Sequence, residues 1–244
     1  MIAAAGYAAL AASALLVGAL IVYAVSPSPR LIAVVMAMGS GLLIGSVAYD
    51  LVADAQGNLT VAAVALSLMA GAAVFVTGSR MIERRGGRRR KSPSGAGAGS
   101  EDQPLSIALG SALDGIPESF VLGLSVVAGG VSVPLLVGIG LSNLPEGMAA
   151  SSGLRTQGWP FRRVAGMWGA VILTSAVSAA LGHELLAADD GTLAGLVQTF
   201  AAGALLAMIA DTMVPEAYEV ERVWTGALVV AGFALSLLVA SALG

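Results

Sequence analysis

Residues 104–128 read PLSIALGSALDGIPESFVLGLSVVA. At 1.5 Å of rise per residue, a helix of this length crosses the hydrocarbon core of a bilayer, which is about 30 Å thick. The stretch is apolar except at its centre, where Asp114 and Glu118 stand four residues apart with Pro117 between them. Residues i and i+4 share one face of a helix, so both carboxyls point the same way. A charge at mid-bilayer costs about 2.5–3.5 kcal/mol on insertion scales. Two acids kept at that depth are therefore the first place to look for function, against the alternative that they are protonated, hydrogen-bonded structural groups or a proton relay.

The rest of the chain has the same character. Of 244 residues, 57% are hydrophobic and 11% charged, against roughly 25% charged in an ordinary soluble domain. Mean hydropathy is +0.88. This excludes a soluble globular enzyme and a disordered chain, and the lack of cysteine excludes a disulfide scaffold or thiolate metal site. The fold class expected is all-α, a polytopic membrane protein. Eight apolar stretches are expected as transmembrane helices, at about 3–25, 31–53, 59–79, 104–128, 131–153, 164–186, 192–214 and 223–243. The first has no basic residue before it and is too long for a signal-peptide core, so it reads as a span. The organisation expected is helices 1–3 within 1–79, a basic and Gly/Ser-rich loop at 80–103, and helices 4–8 within 104–244.

Lys and Arg set the orientation. Arg30, the run from Arg80 to Lys91, Arg155, Arg162, Arg163 and Arg222 all fall in connections that eight spans put on one side. Those connections hold all twelve basic residues. The chain is therefore expected as a multi-pass protein of the inner (plasma) membrane, with the 80–103 loop cytoplasmic and both termini outside. His183, Glu184, Asp189 and Asp190 fall on the outer side; His183 reads as a solvated surface residue.

The next span repeats the design of the first stretch. DGIPES at 114–119 is answered by SNLPEG at 142–147, so that Asp114 matches Ser142, Pro117 matches Pro145 and Glu118 matches Glu146. Each proline removes one backbone donor and predicts a kink with a freed carbonyl, that of Leu113 in the first case. No Lys, Arg or His lies near the three acids in sequence. If the two helices face each other, Asp114, Glu118, Ser142 and Glu146 form one oxygen-rich cluster suited to a divalent cation, which turns carboxylate repulsion into chelation. Asp50, Asp54, Asp211 and Glu216 are further acids in or near spans.

These residues resemble the ZIP family of divalent-metal transporters over nearly the whole chain. DGIPES and SNLPEG look like its span 4 and span 5 motifs, GSGLLIGSVAYDLVADA (39–55) like its span 2, and GALLAMIADTMVPEAYE (203–219) like its span 7. The resemblance implies an eight-helix ZIP-like bundle with both termini outside. It places Asp114, Glu118, Ser142 and Glu146 at the primary transport site. Asn143 and Asp211 occupy positions that form or bridge a second metal site in some relatives, and complete the candidate metal residues. The chain departs from the pattern at Gly115, at Asn143 and at Thr212, which weakens a second site, and it lacks the motif histidines. Imidazole suits zinc, whereas carboxylates suit harder ions such as manganese or iron(II).

The function expected is transport of a divalent cation of the zinc, manganese, iron or cadmium class into the cytoplasm by alternating access, and not catalysis. The metal ion is substrate. The other partners expected are the lipid bilayer and, as an open option, a second copy in a homodimer, with no nucleic acid. Two alternatives remain at this point: a proton-coupled carrier of another solute using the same acids as a relay, and a relative that binds metal without moving it.

Overall fold

A computed structural model describes residues 1–53, 55, 57, 59–82, 103–127, 133–186 and 191–243. The loop expected at 80–103 lies outside them from residue 83 to 102, as do Asp54, Asp189 and Asp190; the side chain of Asp50 is likewise outside the description. What is described is almost entirely helical, as an apolar chain requires when only intrahelical bonds can satisfy its backbone.

The helices are α1 (Ile2–Val25), α2 (Pro29–Ser46), α3 (Val61–Ile82), α4 (Gln103–Val127), α5 (Val133–Thr156), α6 (Phe161–Leu186), α7 (Thr192–Met208), α8 (Val214–Glu221) and α9 (Thr225–Leu243). Each stretch expected as a span holds helix. Six lengths are long and apolar enough to cross a membrane: Ile2–Val25, Pro29–Ala53, Val61–Ile82, Ile107–Val126, Phe161–Glu184 and Thr192–Ala242. The last runs over 51 residues and is divided at Arg222, whose φ of 49° ends α8. The fifth expected span, α5, is a full helix but carries Ser142, Asn143, Glu146 and Ser151, and it is not among the six.

Pro117 and Pro145 lie inside α4 and α5, which continue as helix on either side of them. Irregular turns that the sequence does not announce lie elsewhere. Spans 2 and 7 each pass into a π-helical segment, Val47–Ala53 after α2 and Ile209–Met213 after α7. A π turn adds a residue to the turn and rotates everything beyond it, and such turns often occur at functional sites.

Two packing groups build the bundle. In one, α1 lies against α5 and α6, and α4 lies along α6. In the other, α2 lies against α9 and α8, and α3 lies along α7. The groups meet where α2 passes α5 and where α4 passes α7. Without a hydrophobic force between helices in lipid, close packing must hold them, and small residues permit it. At the α1–α5 crossing a Cβ on Gly18 would collide with the Leu144 carbonyl, and one on Gly147 with the Leu15 carbonyl. Trp168 of α6 is fully buried beside them, and its Nε1 donates to Ser151 Oγ at 2.9 Å.

The described basic residues gather at one end. Arg155 donates to the Val22 carbonyl and to Ser26 Oγ (2.6 Å) at the end of α1, and its guanidinium stands 5.5 Å from the Tyr23 ring centre. Tyr23 donates to the Trp159 carbonyl at 2.5 Å, and Arg163 stacks 3.7 Å over the Trp159 ring. Arg30, across the short turn from α1, bonds Glu221 of α8 at 2.6 Å. Arg162 and Arg222 adjoin these residues in sequence. At the other end, Ser67 donates to the Leu196 carbonyl at 2.6 Å and Leu59 touches Gly195, so α3 runs parallel to α7 and delivers Arg80 to the basic end.

Candidate metal-binding site

Asp114 and Glu118 are both 1% exposed. Their shared face follows from the unbroken helix through Pro117, since a four-residue step keeps its direction only where the turn stays α-helical. Helix α6 backs this segment: Ser178 Oγ donates to the Ile116 carbonyl at 3.1 Å, and Ser175 Oγ lies beside Gly115. A residue larger than glycine at 115 would press on that hydroxyl, which accounts for the small side chain there. Both carboxyls engage their surroundings; one oxygen of each, Oδ1 of Asp114 and Oε1 of Glu118, is enclosed with no hydrogen bond among the described residues.

The sequence reading passed over Ser111. It is buried, and its Oγ is enclosed in the same way. Positions 111, 114 and 118 step by three and four, so the hydroxyl sits one turn below Asp114 on the acidic face. That spacing was the available signal; a serine in a transmembrane helix is too common to draw notice by itself.

On α5, Ser142, Asn143 and Glu146 are all buried. Ser142 donates to the Ile139 carbonyl at 2.9 Å, a bond within its own helix that leaves the oxygen able to accept or ligate. Gly39 of α2 packs on the Ser142 backbone. Asn143 faces another way: its Nδ2 donates to the Ala11 carbonyl of α1 at 3.4 Å. Asn143 and Gly147 are four apart and share the face that meets α1, whereas Ser142 and Glu146 share the neighbouring face. Asn143 thus serves as a tie between helices.

The expected pairing of α4 with α5 is present but slight, for each helix has its main contacts elsewhere. Among the described residues, no three His, Cys, Asp or Glu side chains are grouped to hold a metal ion. The buried acids of the two motifs lie on separate helices, Asp114 and Glu118 on α4 and Glu146 on α5, and two further buried acids, Glu216 and Glu221, lie on α8. Asp211 is not buried with them. It is exposed on the π segment of span 7, while its neighbour Thr212 turns inward and donates to the Met208 carbonyl at 2.6 Å. One turn beyond, Glu216 is buried. The buried positions 208, 212 and 216 follow one another in steps of four, which puts Thr212 on the inward face and leaves Asp211 off it. His183 lies in the last turn of α6, with Nδ1 at 3.7 Å from Glu184; its side chain is only 23% exposed and Nδ1 is enclosed, so it is half-buried and not the solvated surface residue expected.

These arrangements can hold protons or a cation at mid-bundle, with carboxyl and hydroxyl oxygens as the donors. No family model matches the chain, and no curated protein matches it.

Proposed function

We propose that this chain is an eight-span carrier of divalent metal cations, akin to the ZIP transporters that its motifs resemble, and that it moves the ion into the cytoplasm. The observation that carries the reading is the burial of Asp114, Glu118 and Glu146 on two helices inside an apolar bundle. Carboxyls kept there need protons or a cation. Glu118 and Glu146 hold the ion, and Asp114 and Ser142 complete its shell. Because α4 packs mainly on α6 and α5 mainly on α1, an ion shared between α4 and α5 couples two helices that otherwise touch little. Alternating access then consists of motion at the seams where α2 passes α5 and α4 passes α7. The gathering of described basic residues at one end supports a cytoplasmic face there, with the termini outside.

The division of the acids, with no three grouped, favours one second reading: a proton-coupled carrier of another solute that uses the carboxyls singly. Liposome uptake separates the two. The protein is reconstituted and the flux of Mn²⁺, Zn²⁺, Fe²⁺, Cd²⁺ and Mg²⁺ is measured for the wild type, Glu118→Ala and Glu146→Ala. Metal transport predicts flux that falls about a hundredfold or more in both variants. No metal flux, or flux that both variants retain, overturns it.

A further inference from the structure

At the basic end, the join between α8 and α9 is strained and thrust outward. Helix α8 stops at Glu221, and Arg222 takes φ 49°, ψ −104°, a conformation L-residues with a side chain rarely adopt. Its N–H donates to the Tyr218 carbonyl and closes the helix. The chain then makes a single 3-10 turn, Arg222–Trp224, that leaves Val223 88% and Trp224 62% exposed. Strained backbone persists only where its surroundings impose it. Here the constraint is visible. Glu221 is buried and bonded to Arg30 Nε at 2.6 Å, which anchors the last residue before the turn to the start of α2. Among the described residues Arg30 bonds through Nε, and its side chain is 74% exposed, so its two Nη groups face outward. Leu31, next to it, is 51% exposed.

The result is an exposed Val223 and Trp224 directly after Arg222, with the start of α2, Arg30 and Leu31, tied to the preceding residue through the Glu221 bond, at the end of a bundle whose helices are long enough to cross a bilayer. We propose that this patch docks an anionic phospholipid. Val223, Trp224 and Leu31 enter the boundary of headgroup and acyl chain, where tryptophan is favoured. Arg222 and Arg30 bind the lipid phosphate, to which a guanidinium offers paired N–H donors. The inference rests on the membrane-spanning part of the proposal above and is independent of the cation path.

The chain's three tryptophans allow a direct test. Trp168 is fully buried and Trp159 lies beneath Arg163, so the fluorescence lost in Trp224→Phe isolates the signal of residue 224. The protein is placed in phosphatidylcholine vesicles containing either brominated phosphatidylcholine or brominated phosphatidylglycerol at equal fraction. The Trp224 signal is expected to be quenched more by the anionic lipid. That preference falls about fivefold in Arg222→Gln, the share of one basic residue near a charged surface. It rises in Glu221→Gln, which removes the carboxylate that offsets Arg30. Equal quenching by both lipids overturns the proposal. So does quenching by neither, accompanied by cross-linking through residue 224, which would assign the patch to a second copy. Loss of the preference on adding millimolar inorganic phosphate would assign it to free anions.

Discussion

The proline-bearing segments of α4 and α5 and the π segments of spans 2 and 7 invite comparison, for both carry acids in the middle of apolar runs. In the first pair the helix is regular, and Asp114, Glu118 and Glu146 are sealed inside. In the second pair the helix is irregular, and Asp211 is exposed. Proline removes one donor but leaves the phase of the helix intact, so side chains on either side of it keep their common face. A π turn keeps its hydrogen bonds but changes the phase. Among the described acids, then, those beside a proline stay inside and the one on a π segment, Asp211, faces out.

Three changes would break or sharpen that contrast. The largest effect is expected at the site itself. Glu118→Gln keeps the shape of the side chain and removes its charge, and cation uptake into liposomes falls about a hundredfold or more, whereas Asp211→Asn stays within about threefold of the wild type. Similar losses in the two variants would mean that the π segment belongs to the ion path. Next is the packing that holds α5 in place. Gly147→Leu drives a side chain into the Leu15 backbone, and overpacking of this kind costs about 1–3 kcal/mol or more. A lowered thermal midpoint in detergent is the readout; an unchanged one would show that α1 and α5 can separate freely. The smallest effect is at the basic end. Arg30→Gln removes the charged partner of a buried carboxylate; solvent at the 74% exposed Arg30 screens part of the effect, and the loss is about 1 kcal/mol in chemical unfolding.

Much of this could be read from the residues. Asp114 and Glu118 stand four apart in an apolar run, and helical periodicity alone puts them on one face. The twelve basic residues sort to one side if the chain has the eight expected spans, and the described ones gather at one end, Arg30 on Glu221 and Arg155 on the end of α1. Other features escaped for definite reasons. Residues 47–53 and 209–213 contain no proline or other breaker that would announce a π turn. Ser111 is one serine among many. Asn143 looks like a ligand because it adjoins the motif, yet a single residue step is about 100° around a helix and turns it toward Ala11. The arginine at 222 reads as an ordinary loop charge until its backbone is seen.

By itself, then, the sequence determined that the chain is a bundle of apolar helices, that its described basic residues lie toward one end, and that three carboxyls sit where charge is costly. Composition and periodicity suffice for that, because lipid leaves the backbone no choice but to bond within the helix. Only the tertiary structure decided which helices are partners. It set α4 along α6 and α5 along α1 where the motif repeat pointed to α4 facing α5, and it turned Asp211 outward and Thr212 in. Partner choice in a bilayer rests on surface shape and on a few bonds between helices, such as Gly18 against Leu144 and Trp168 to Ser151. These join residues far apart in the chain, and no local pattern records them.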